Sequence, residues 1–327
     1  MTERILVTGA AGFIGGHCCR ALLEAGFEVV GLDNFDPFYD RRIKEQGLAE
    51  LTPDPRFSFV EGDIRDSDTV LRALSGVDVV LHLAARAGVR PSIEDPALYC
   101  SVNVDGTACL LEGCRQKSIR RFVLGSSSSV YGDTTPVPFR EDSPAVDPIS
   151  PYAATKRAGE LLSQVYRHLY GLRVAVLRLF TVYGPRQRPD LAIHRFTHLL
   201  ASGLPIQQFG DGSSDRDHTH VDDIVKGVRG AVSWTAGDGP AYEVFNLGES
   251  RTVRLSYLIE LIAQALDVKP KIELLPLQPG DVKRTFADIT KARRVLGYDP
   301  QVTIEDGIPR FVEWYQETYG RQPRATA

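Results

Sequence analysis

A tyrosine and a lysine, Tyr152 and Lys156, stand four residues apart directly after Pro151. Proline is common in the first turn of a helix, and a spacing of four puts both side chains on one helix face. An adjacent ammonium lowers the pKa of a phenol, ordinarily about 10, because it favours the phenolate. The pair could therefore take up and return the proton of a substrate hydroxyl, with help from a second positive charge in a low-dielectric site. The spacing alone also fits an ordinary surface helix.

Three glycines near the amino terminus, Gly9, Gly12 and Gly15, indicate a phosphate-binding turn. They follow an apolar run at residues 5–7 and lead into an amphipathic stretch at residues 13–25, which predicts a strand, a tight turn and a helix. Gly9 permits the turn, Gly12 lets the backbone approach a pyrophosphate, and Gly15 lets the helix pack against the strand. The amino terminus of the helix would present N–H groups and the positive end of its dipole to the phosphates.

A carboxylate follows this turn at the distance that a dinucleotide requires. The second apolar run, residues 28–32, ends in Asp33, about 20 residues after Gly12. A carboxylate there accepts hydrogen bonds from an adenosine ribose and repels a 2′-phosphate, which predicts NAD rather than NADP. The alternative is a glycine-rich loop without a ligand.

The composition is that of an ordinary globular protein. The 327 residues are 43% hydrophobic and 24% charged, and the formal net charge of −4 without a basic block argues against a nucleic-acid partner. No apolar run reaches the ~18 residues of a membrane span and no signal-peptide pattern opens the chain, so we expect a cytoplasmic protein without membrane contact. The cysteines show no metal-ligand spacing and are expected to be buried free thiols; they are Cys18, Cys19, Cys100, Cys109 and Cys114.

Apolar strand-like runs alternate with helical stretches through the first half of the chain. This alternation predicts an α/β fold with a doubly wound parallel sheet of the Rossmann type, whose ligands lie at the carboxyl ends of the strands. The predicted strands are residues 5–7, 29–32, 57–60, 77–83, 121–124 and 174–179.

The alternation loosens after Pro185, which predicts a second unit. We expect an NAD-binding domain over residues 1–180 and a smaller α/β lobe for the substrate over residues 181–327. A strand at residues 242–247 is expected to return to the first sheet, so that residues 221–250 interleave the two units. An amphipathic helix is predicted at residues 255–266.

The glycine triplet, Asp33, the serine run before Val130-Tyr131-Gly132, and Tyr152 with Lys156 together resemble the extended short-chain dehydrogenase/reductase family. The resemblance covers nearly the whole chain. It implies that Tyr152 is the acid and base, that Lys156 holds the nicotinamide ribose and tunes the tyrosine, and that Ser127 hydrogen-bonds the substrate hydroxyl. The residues that fall where the family holds NAD are Gly9, Gly12, Phe13, Ile14, Gly15, Asp33, Asn34, Asp63, Ile64, Leu83, Ala84, Ala85 and Lys156.

The residues after Ser127 separate the reactions of this family. Its 4,6-dehydratases resemble Thr-Asp-Glu at this place and its UDP-glucuronate decarboxylases resemble Thr-Ser-Glu, whereas this chain has Ser127-Ser128-Ser129. Because neither following position is a carboxylate, elimination of water lacks its acid and base. The resemblance therefore implies 4-epimerisation, in which C4 of a sugar is oxidised and then reduced on its other face.

The carboxyl-terminal half resembles the family's segments for a UDP-sugar. The segment around Arg216 resembles one that meets the diphosphate, and residues 278–282 resemble one that closes on the phosphate and the uridine ribose. The segment with Thr181 and Arg188 resembles the UDP-glucuronate 4-epimerases, where a buried sugar carboxylate needs a paired donor. The implied substrate residues are Arg90, Ser128, Ser129, Thr181, Arg188, Arg216, Gln278 and Asp281.

Conversion of UDP-glucuronate to UDP-galacturonate is thus the expected reaction. A UDP-glucose 4-epimerase, a UDP-glucuronate decarboxylase and a non-catalytic NAD-binding protein stay open as alternatives. One departure bears on the sugar: Arg186-Gln187 stands where the family commonly has Trp-Gly, which would add a second cation near the substrate.

Four histidines lack acidic or cysteine partners at ligand spacing, so we predict no metal site and expect them at the surface or at a phosphate: His194, His198, His218 and His220. Asp222-Asp223 fits the start of a helix better than a pair of catalytic acids. The resemblance implies a homodimer through the helix of Tyr152. Apolar residues recur there at a spacing that fits either a dimer contact or a core face: Leu161, Leu162, Val165 and Leu169.

Overall fold

The structure is a computed structural model that describes residues 2–276 and 284–320. The described residues contain twelve strands: β1 (Arg4–Thr8), β2 (Glu28–Asp33), β3 (Phe57–Glu61), β4 (Val79–His82), β5 (Arg121–Ser127), β6 (Arg173–Leu179), β7 (Thr181–Tyr183), β8 (Ile206–Phe209), β9 (Asp215–His220), β10 (Tyr242–Leu247), β11 (Thr252–Arg254) and β12 (Ile272–Leu275). All six strands predicted in the first half are present, and the run at residues 77–83 forms the shorter β4.

The same residues form twelve α-helices: α1 (Phe13–Glu24), α2 (Arg41–Ala49), α3 (Ser67–Ala73), α4 (Val89–Glu94), α5 (Pro96–Cys100), α6 (Gly106–Gln116), α7 (Pro151–Tyr170), α8 (Ala192–Ala201), α9 (Val221–Trp234), α10 (Leu255–Leu266), α11 (Thr290–Leu296) and α12 (Ile304–Tyr319). A π-helical turn at Ser101–Asp105 joins α5 to α6, and a 3₁₀ turn at Ser128–Tyr131 follows β5. The helices predicted at residues 13–25 and 255–266 are confirmed. Within the described part of the chain, no helix has the length and apolar character that a membrane crossing requires.

Seven parallel strands form the main sheet, in the order β10-β6-β5-β4-β1-β2-β3. Side chains alternate between the two faces of a strand, so a sheet covered on both faces needs apolar residues at every position. In β1, Ile5 and Val7 pack into the core beneath α1 and α9, and Leu6 packs into the core beneath α3 and α6. The doubly wound parallel sheet expected from the alternation of runs is confirmed.

The chain crosses into the smaller lobe and back before the main sheet is complete. After β6 it builds β7, β8 and β9, and α9 then returns to pack against the main sheet beside α1. The last strand of that sheet, β10, pairs with β6 from Tyr242↔Val174 to Leu247↔Leu179. The strand predicted at residues 242–247 therefore lies in the first sheet.

The smaller lobe has its own core. Strands β11, β9 and β7 form one small sheet, and β12 pairs with β8 in another. Helices α8, α10 and α12 pack together through buried residues such as Ile193, Ile262 and Phe311. Tyr183 joins this core to the chain that precedes α12, because its hydroxyl donates to the carbonyl of Thr303 at 3.1 Å.

Three of the four histidines are core residues, so the expectation of a surface position is wrong for them. His194, His218 and His220 are buried, and only His198 is exposed. The His194 ring packs edge-on against Tyr315 at 5.5 Å, and its Nδ1 lies 2.6 Å from the carbonyl oxygen of Gln187. Burial lowers the pKa of His218 to about 4, because the charged imidazolium is poorly solvated there.

The strand order of the main sheet reverses between β1 and β4, and a crevice opens there at the carboxyl ends of the strands. The turns after these two strands meet closely. Gly9 has φ +73°, and a Cβ at this position would lie 2.9 Å from the backbone nitrogen of Ala84. Backbone rather than side chain therefore forms the floor of this crevice.

Candidate active site

A cavity of about 470 Å³ lies at this edge of the sheet. It is lined by the turns that follow β1 and β4, by residues of β2, β5, β6 and β7, by the start of α7, and by the loop between β7 and α8. Most of the predicted site residues line it: Gly9, Gly12, Phe13, Ile14, Gly15, Asp33, Asn34, Asp63, Ile64, Leu83, Ala84, Ala85, Ser127, Ser128, Ser129, Tyr152, Lys156, Thr181 and Arg188.

The glycine turn after β1 works through close backbone contacts. A Cβ at Gly15 would lie 2.0 Å from the carbonyl oxygen of Gly9, so no side chain fits there without moving the helix. Gly12 is the residue that precedes α1, and a Cβ there would lie 3.2 Å from the same oxygen. Gly12 and Gly15 line the cavity without side chains at the amino terminus of α1, as an anion site at a helix terminus requires.

Asp33, at the end of β2, is a buried carboxylate fixed by backbone donors. Its Oδ1 accepts a hydrogen bond from the Phe35 nitrogen at 2.8 Å, and its Oδ2 accepts one from the Ala11 nitrogen at 3.1 Å. Burial raises the pKa of this carboxyl group, and the charge of Lys44 opposes the rise. Asp63, after β3, accepts a hydrogen bond from Asn34 at 3.0 Å. These residues place two carboxylates beside the glycine turn.

Tyr152 lies in the first turn of α7. The sequence starts the helix here because Pro151 suits its first position and the Ser150 Oγ accepts a hydrogen bond from the Ala153 nitrogen at 3.1 Å. Further along α7, the fully buried Glu160 fixes the helix to the sheet, since it accepts hydrogen bonds from Ser126 at 2.6 Å and from Arg178 at 2.9 and 3.0 Å. The catalytic candidate is therefore held by a rigid element.

Ser127 and Lys156 both lie at the carboxyl end of β5. The Ser127 Oγ accepts a hydrogen bond from the Ser129 nitrogen at 3.1 Å, which caps the 3₁₀ turn after the strand. The Lys156 Nζ donates to the carbonyl oxygen of Gly125 at 2.8 Å. Burial lowers the pKa of Lys156 to about 8, and the nearby Glu160 carboxylate opposes this change.

Arg188 is a cation near the Tyr152 phenol that the sequence did not assign to this tyrosine. Burial raises the pKa of the Tyr152 phenol, and a hydrogen bond with Ser127 and the charge of Arg188 oppose that rise. Lys156 was expected to lower the pKa of this phenol, but its ammonium is directed to Gly125. Arg188 supplies the opposing charge because its guanidinium lines the same cavity.

Arg188 stands in a turn that the sequence specifies. The Leu191 nitrogen donates to the Arg188 carbonyl oxygen at 3.2 Å, with Pro189 at the second position of the turn, where proline is favoured. The Arg188 Nε and Nη2 donate to the two oxygens of Asp190 at 2.9 and 2.7 Å. The carbon of the guanidinium lies 4.8 Å from the ring centroid of Phe38.

Arg186 does not bring a second cation to the sugar side, contrary to expectation. It has φ +67° and is directed away from the cavity, where it forms an ion pair with Glu50. Gln187 is buried and fixes the loop, because its Nε2 donates to the Val182 carbonyl at 3.0 Å and its Oε1 accepts from the His194 nitrogen at 3.1 Å. The pair thus anchors the loop on both sides.

The remaining predicted substrate residues lie elsewhere. The guanidinium carbon of Arg90, on α4, lies 4.8 Å from the ring centroid of Phe209 and so connects the main domain to the smaller lobe. Arg216, on β9, has a hydrogen bond to the carbonyl oxygen of Asp215 at 3.1 Å. Gln278 and Asp281 lie outside the described residues, and their roles stay predictions.

The predicted site residues left out a second arginine and the aromatic loop beside it, although residues 32–40 resemble the corresponding loop of the UDP-glucuronate 4-epimerases. Arg86 lines the cavity, forms an ion pair with Asp36, and has its guanidinium carbon 4.8 Å from the ring centroid of Phe38. The aromatic run after Asp33 was the available signal, because large apolar side chains in a loop are expected to pack against a neighbouring group. The lining residues that were not predicted include Asp36, Phe38, Tyr39, Lys44, Arg86 and Leu191.

The chain matches a known protein family over most of its length. A family model described as GDP-mannose 4,6 dehydratase matches residues 6–311. The chain belongs to this family. The resemblance to the extended short-chain dehydrogenase/reductases is thereby confirmed, and the Rossmann-type fold is that of the family's solved structures.

Two relatives carry the name of the expected activity. The UDP-glucuronate 4-epimerase of Thermodesulfobacterium geofontis is 42% identical over 316 residues, which cover 95% of this chain and 96% of that one. The crystal structure of UDP-glucuronic acid 4-epimerase from Bacillus cereus, in complex with UDP-glucuronic acid and NAD, has a TM-score of 0.90 and 36% identity. It covers 97% of this chain and 100% of that chain.

A third similar structure carries a different name. The UDP-glucose 4-epimerase of Thermotoga maritima, with UDP-glucose, has a TM-score of 0.87 and 32% identity, and covers 97% of this chain and 99% of that chain. Both activities therefore occur on this backbone, and the fold alone does not separate them.

Proposed function

We propose that this protein is an NAD-dependent 4-epimerase of UDP-sugars and that it interconverts UDP-glucuronate and UDP-galacturonate. The observation that carries the proposal is the position of Arg188, whose largely buried guanidinium lines the same cavity as Tyr152 and Ser127. In a sugar bound with its C4 hydroxyl at Tyr152, the C6 carboxylate is one bond outside the ring. It would lie within reach of a cation beside the Tyr152 hydroxyl.

The residues present fit NAD. The turn at Gly9, Gly12 and Gly15 offers backbone N–H groups with no room for side chains, as a pyrophosphate needs. The Asp33 carboxylate is fixed by two amides and would accept hydrogen bonds from the adenosine ribose. Lys156, on α7, would hold the nicotinamide ribose. The complex of the Bacillus cereus relative with NAD supports this assignment.

The chain's own groups handle the proton of the C4 hydroxyl. Tyr152 takes this proton as C4 is oxidised and returns it after the 4-keto sugar has turned its other face. Ser127 hydrogen-bonds both the phenol and the sugar hydroxyl, which keeps the two oxygens in line. NAD, when bound, accepts and returns the C4 hydride, and its oxidised ring adds a positive charge that favours the phenolate. The cycle has no net redox change.

The serines after Ser127 favour epimerisation over elimination. Ser128 and Ser129 line the cavity at the two positions where an acid and a base would stand in the dehydratases that the sequence resembles. Hydroxyl groups with ordinary pKa values do not supply that acid and base. They can hydrogen-bond the sugar, and with Thr181 they are assigned to the substrate.

An NMR time course tests the activity directly. Purified protein is incubated with UDP-glucuronate, and with UDP-glucose in a parallel tube, without added NAD. The expected result is the anomeric signal of UDP-galacturonate in the first tube, which also reports a tightly held cofactor. Conversion of UDP-glucose alone would establish the second candidate, which the Thermotoga maritima relative supports. Release of CO₂ with a pentose product would establish a decarboxylase.

The exposed face of α7 supports a homodimer. Leu161, Val165 and Leu169 recur every fourth residue on this helix and are exposed by 48%, 48% and 58%, whereas Leu162 packs into the core. We assign this stripe to a homodimer contact with the same helix of a second copy. Analytical ultracentrifugation is expected to give a dimer, and Val165→Glu a monomer, since a charge on the stripe cannot be buried without a partner.

We also assign the division of the chain into two units. Residues 1–180 with 221–250 would form the NAD-binding domain, and the other residues beyond 180 the UDP-sugar lobe. We assign the protein to the cytoplasm. The five cysteines are free thiols in the structure, which supports a reducing compartment, although Cys100 is exposed and not buried as expected.

A further inference from the structure

Arg188 has contacts on one edge and one face of its guanidinium. Asp190 takes the edge formed by Nε and Nη2, at 2.9 and 2.7 Å, in the bidentate arrangement that carboxylates prefer. Phe38, from the loop after β2, lies near the same group with its ring centroid 4.8 Å from the guanidinium carbon. A guanidinium has a second edge, formed by Nη1 and Nη2, that can bind another carboxylate at the same time.

We propose that Asp190 and Phe38 are positioning residues that fix the guanidinium of Arg188 so that its second edge binds the sugar carboxylate. This inference rests on the proposed function. An arginine side chain is long and flexible, so a donor edge that is fixed in advance loses less freedom when the substrate binds. Asp190 restrains the in-plane rotation of the group, and Phe38 restrains its tilt.

The turn that carries Arg188 and Asp190 favours the contact between their side chains. Pro189 separates the two residues and limits Arg188 to extended backbone conformations, so both side chains leave the turn on the same side. The turn is held at its start by the buried Gln187 and closed by the hydrogen bond from the Leu191 nitrogen. Neither partner of the ion pair depends on the substrate for its place.

Repulsion between Asp190 and a sugar carboxylate is the opposing effect. The Asp190 side chain is 36% exposed, against 16% for Arg188, so water screens the aspartate more than the guanidinium. The hydrogen bonds to the guanidinium act over less than 3 Å and are not screened in this way. Positioning is therefore expected to outweigh repulsion.

A second pair of the same type shows what the cavity adds. Arg140 and Asp142 have the same spacing and the same bidentate contacts, at 3.1 and 3.0 Å, but their side chains are 61% and 70% exposed. Exposed ion pairs contribute little. Asp142→Ala is thus a matched control that removes a pair with the same bidentate contacts away from the cavity, although Arg140 also lies 3.7 Å from Asp288.

The test measures binding without turnover. In the Tyr152→Phe background, calorimetry gives the Kd values of UDP-glucuronate and UDP-glucose for the NAD-loaded protein. Asp190→Ala is expected to weaken UDP-glucuronate about tenfold and UDP-glucose less than about twofold. Asp190→Glu is expected to recover most of the loss, Phe38→Leu to weaken UDP-glucuronate about threefold with recovery in Phe38→Tyr, and Asp142→Ala to change neither Kd.

An unchanged or lower Kd of UDP-glucuronate in Asp190→Ala would overturn the inference, as would equal losses for both ligands. Arg188→Ala separates this failure from failure of the proposed function. If Arg188→Ala weakens UDP-glucuronate selectively and Asp190→Ala does not, the carboxylate site stands and the positioning role falls. If Arg188→Ala is not selective, the carboxylate site itself is wrong and both proposals fall.

Discussion

The glycine turn after β1 and the loop that carries Arg188 line one cavity, but they present their ligand-binding groups by different means. The turn uses backbone N–H groups, and side chains are excluded because a Cβ at Gly15 would lie 2.0 Å from a carbonyl oxygen. The loop uses a guanidinium that is held by an ion pair with Asp190 and by the ring of Phe38, from a segment far away in sequence. A cofactor common to a family can rely on fixed backbone, whereas the choice of sugar depends on side chains that can be exchanged.

The largest expected effect comes from a substitution in the glycine turn after β1. Gly15→Ala should remove bound NAD almost completely and with it all turnover, because the added methyl group overlaps the Gly9 carbonyl and overpacking of this kind is not relieved locally. NAD released on denaturation, per mole of protein, measures the effect. Gly16→Ala is the matched control, since its Cβ would lie 3.6 Å from the nearest carbonyl, an ordinary contact. NAD retained by Gly15→Ala would contradict the backbone account.

Tyr152 lines the same cavity as the glycine turn and the loop that carries Arg188. Tyr152→Phe should lower kcat by about 10²–10⁴-fold, because the proton of the C4 hydroxyl loses its acceptor. Bound NAD and the Kd of UDP-glucuronate should stay within about twofold, since the ring and the packing of α7 are kept. A variant that keeps wild-type kcat would transfer the acid–base role to another residue.

A change in the loop that carries Arg188 should lower activity selectively with UDP-glucuronate and not equally with both sugars. Arg188→Ala is expected to lower kcat/KM for UDP-glucuronate about 30–100-fold, because an ionised sugar carboxylate would be left buried without its partner. Any turnover of UDP-glucose should change less than about threefold, and bound NAD should not change. Equal losses with both sugars would show that the arginine supports the loop and not the carboxylate.

The smallest effect lies outside the cavity, where β9 of the smaller lobe meets the chain that follows β10. The buried Asp217 accepts hydrogen bonds from the backbone nitrogens of Glu249, Ser250 and Ala287, at 2.7, 3.1 and 3.0 Å. Burial and two neighbouring carboxylates raise the pKa of Glu249 to about 7. A raised carboxyl pKa means that the folded protein favours the protonated form. Its contribution to stability is therefore complete below about pH 4.5 and is lost as the pH rises through about 7.

Glu249→Gln keeps the neutral form at every pH. Its Tm should exceed that of the wild type by about 2 °C at pH 8 and match it at pH 5, as differential scanning calorimetry can measure. Glu260→Gln, at an exposed position of α10, serves as the control. A Tm difference of the same size at both pH values would show that packing, and not ionisation, separates the two proteins.

How far the sequence predicts this molecule depends on the distance over which its contacts are made. The glycine triplet, Asp33 and the Tyr152 turn are local patterns, in which a few adjacent residues determine both shape and chemistry, and the structure places them all at one cavity. The contact of Phe38 with Arg188 and the ion pair of Arg86 with Asp36 join segments that are not adjacent in sequence. No local pattern determines such pairs.

The errors have the same cause. Arg186 was expected beside the sugar because it precedes Arg188 in sequence, but the positive φ of this residue sends its side chain to Glu50. His194, His218 and His220 were expected at the surface or at a phosphate because they lack partners at metal-ligand spacing. They are buried instead: Tyr315 and the Gln187 carbonyl contact His194, and the Tyr183 ring contacts His220. Both outcomes depend on tertiary packing, which spacing does not encode.

The most direct measurement follows deuterium at C4. UDP-glucuronate labelled with deuterium at this carbon is incubated with the purified protein in ordinary water, and the product is analysed by NMR and mass spectrometry. If C4 is oxidised and reduced within one closed site, UDP-galacturonate should appear with the deuterium retained at C4. Loss of the label to water, or a labelled pentose with release of CO₂, would contradict 4-epimerisation by this chain.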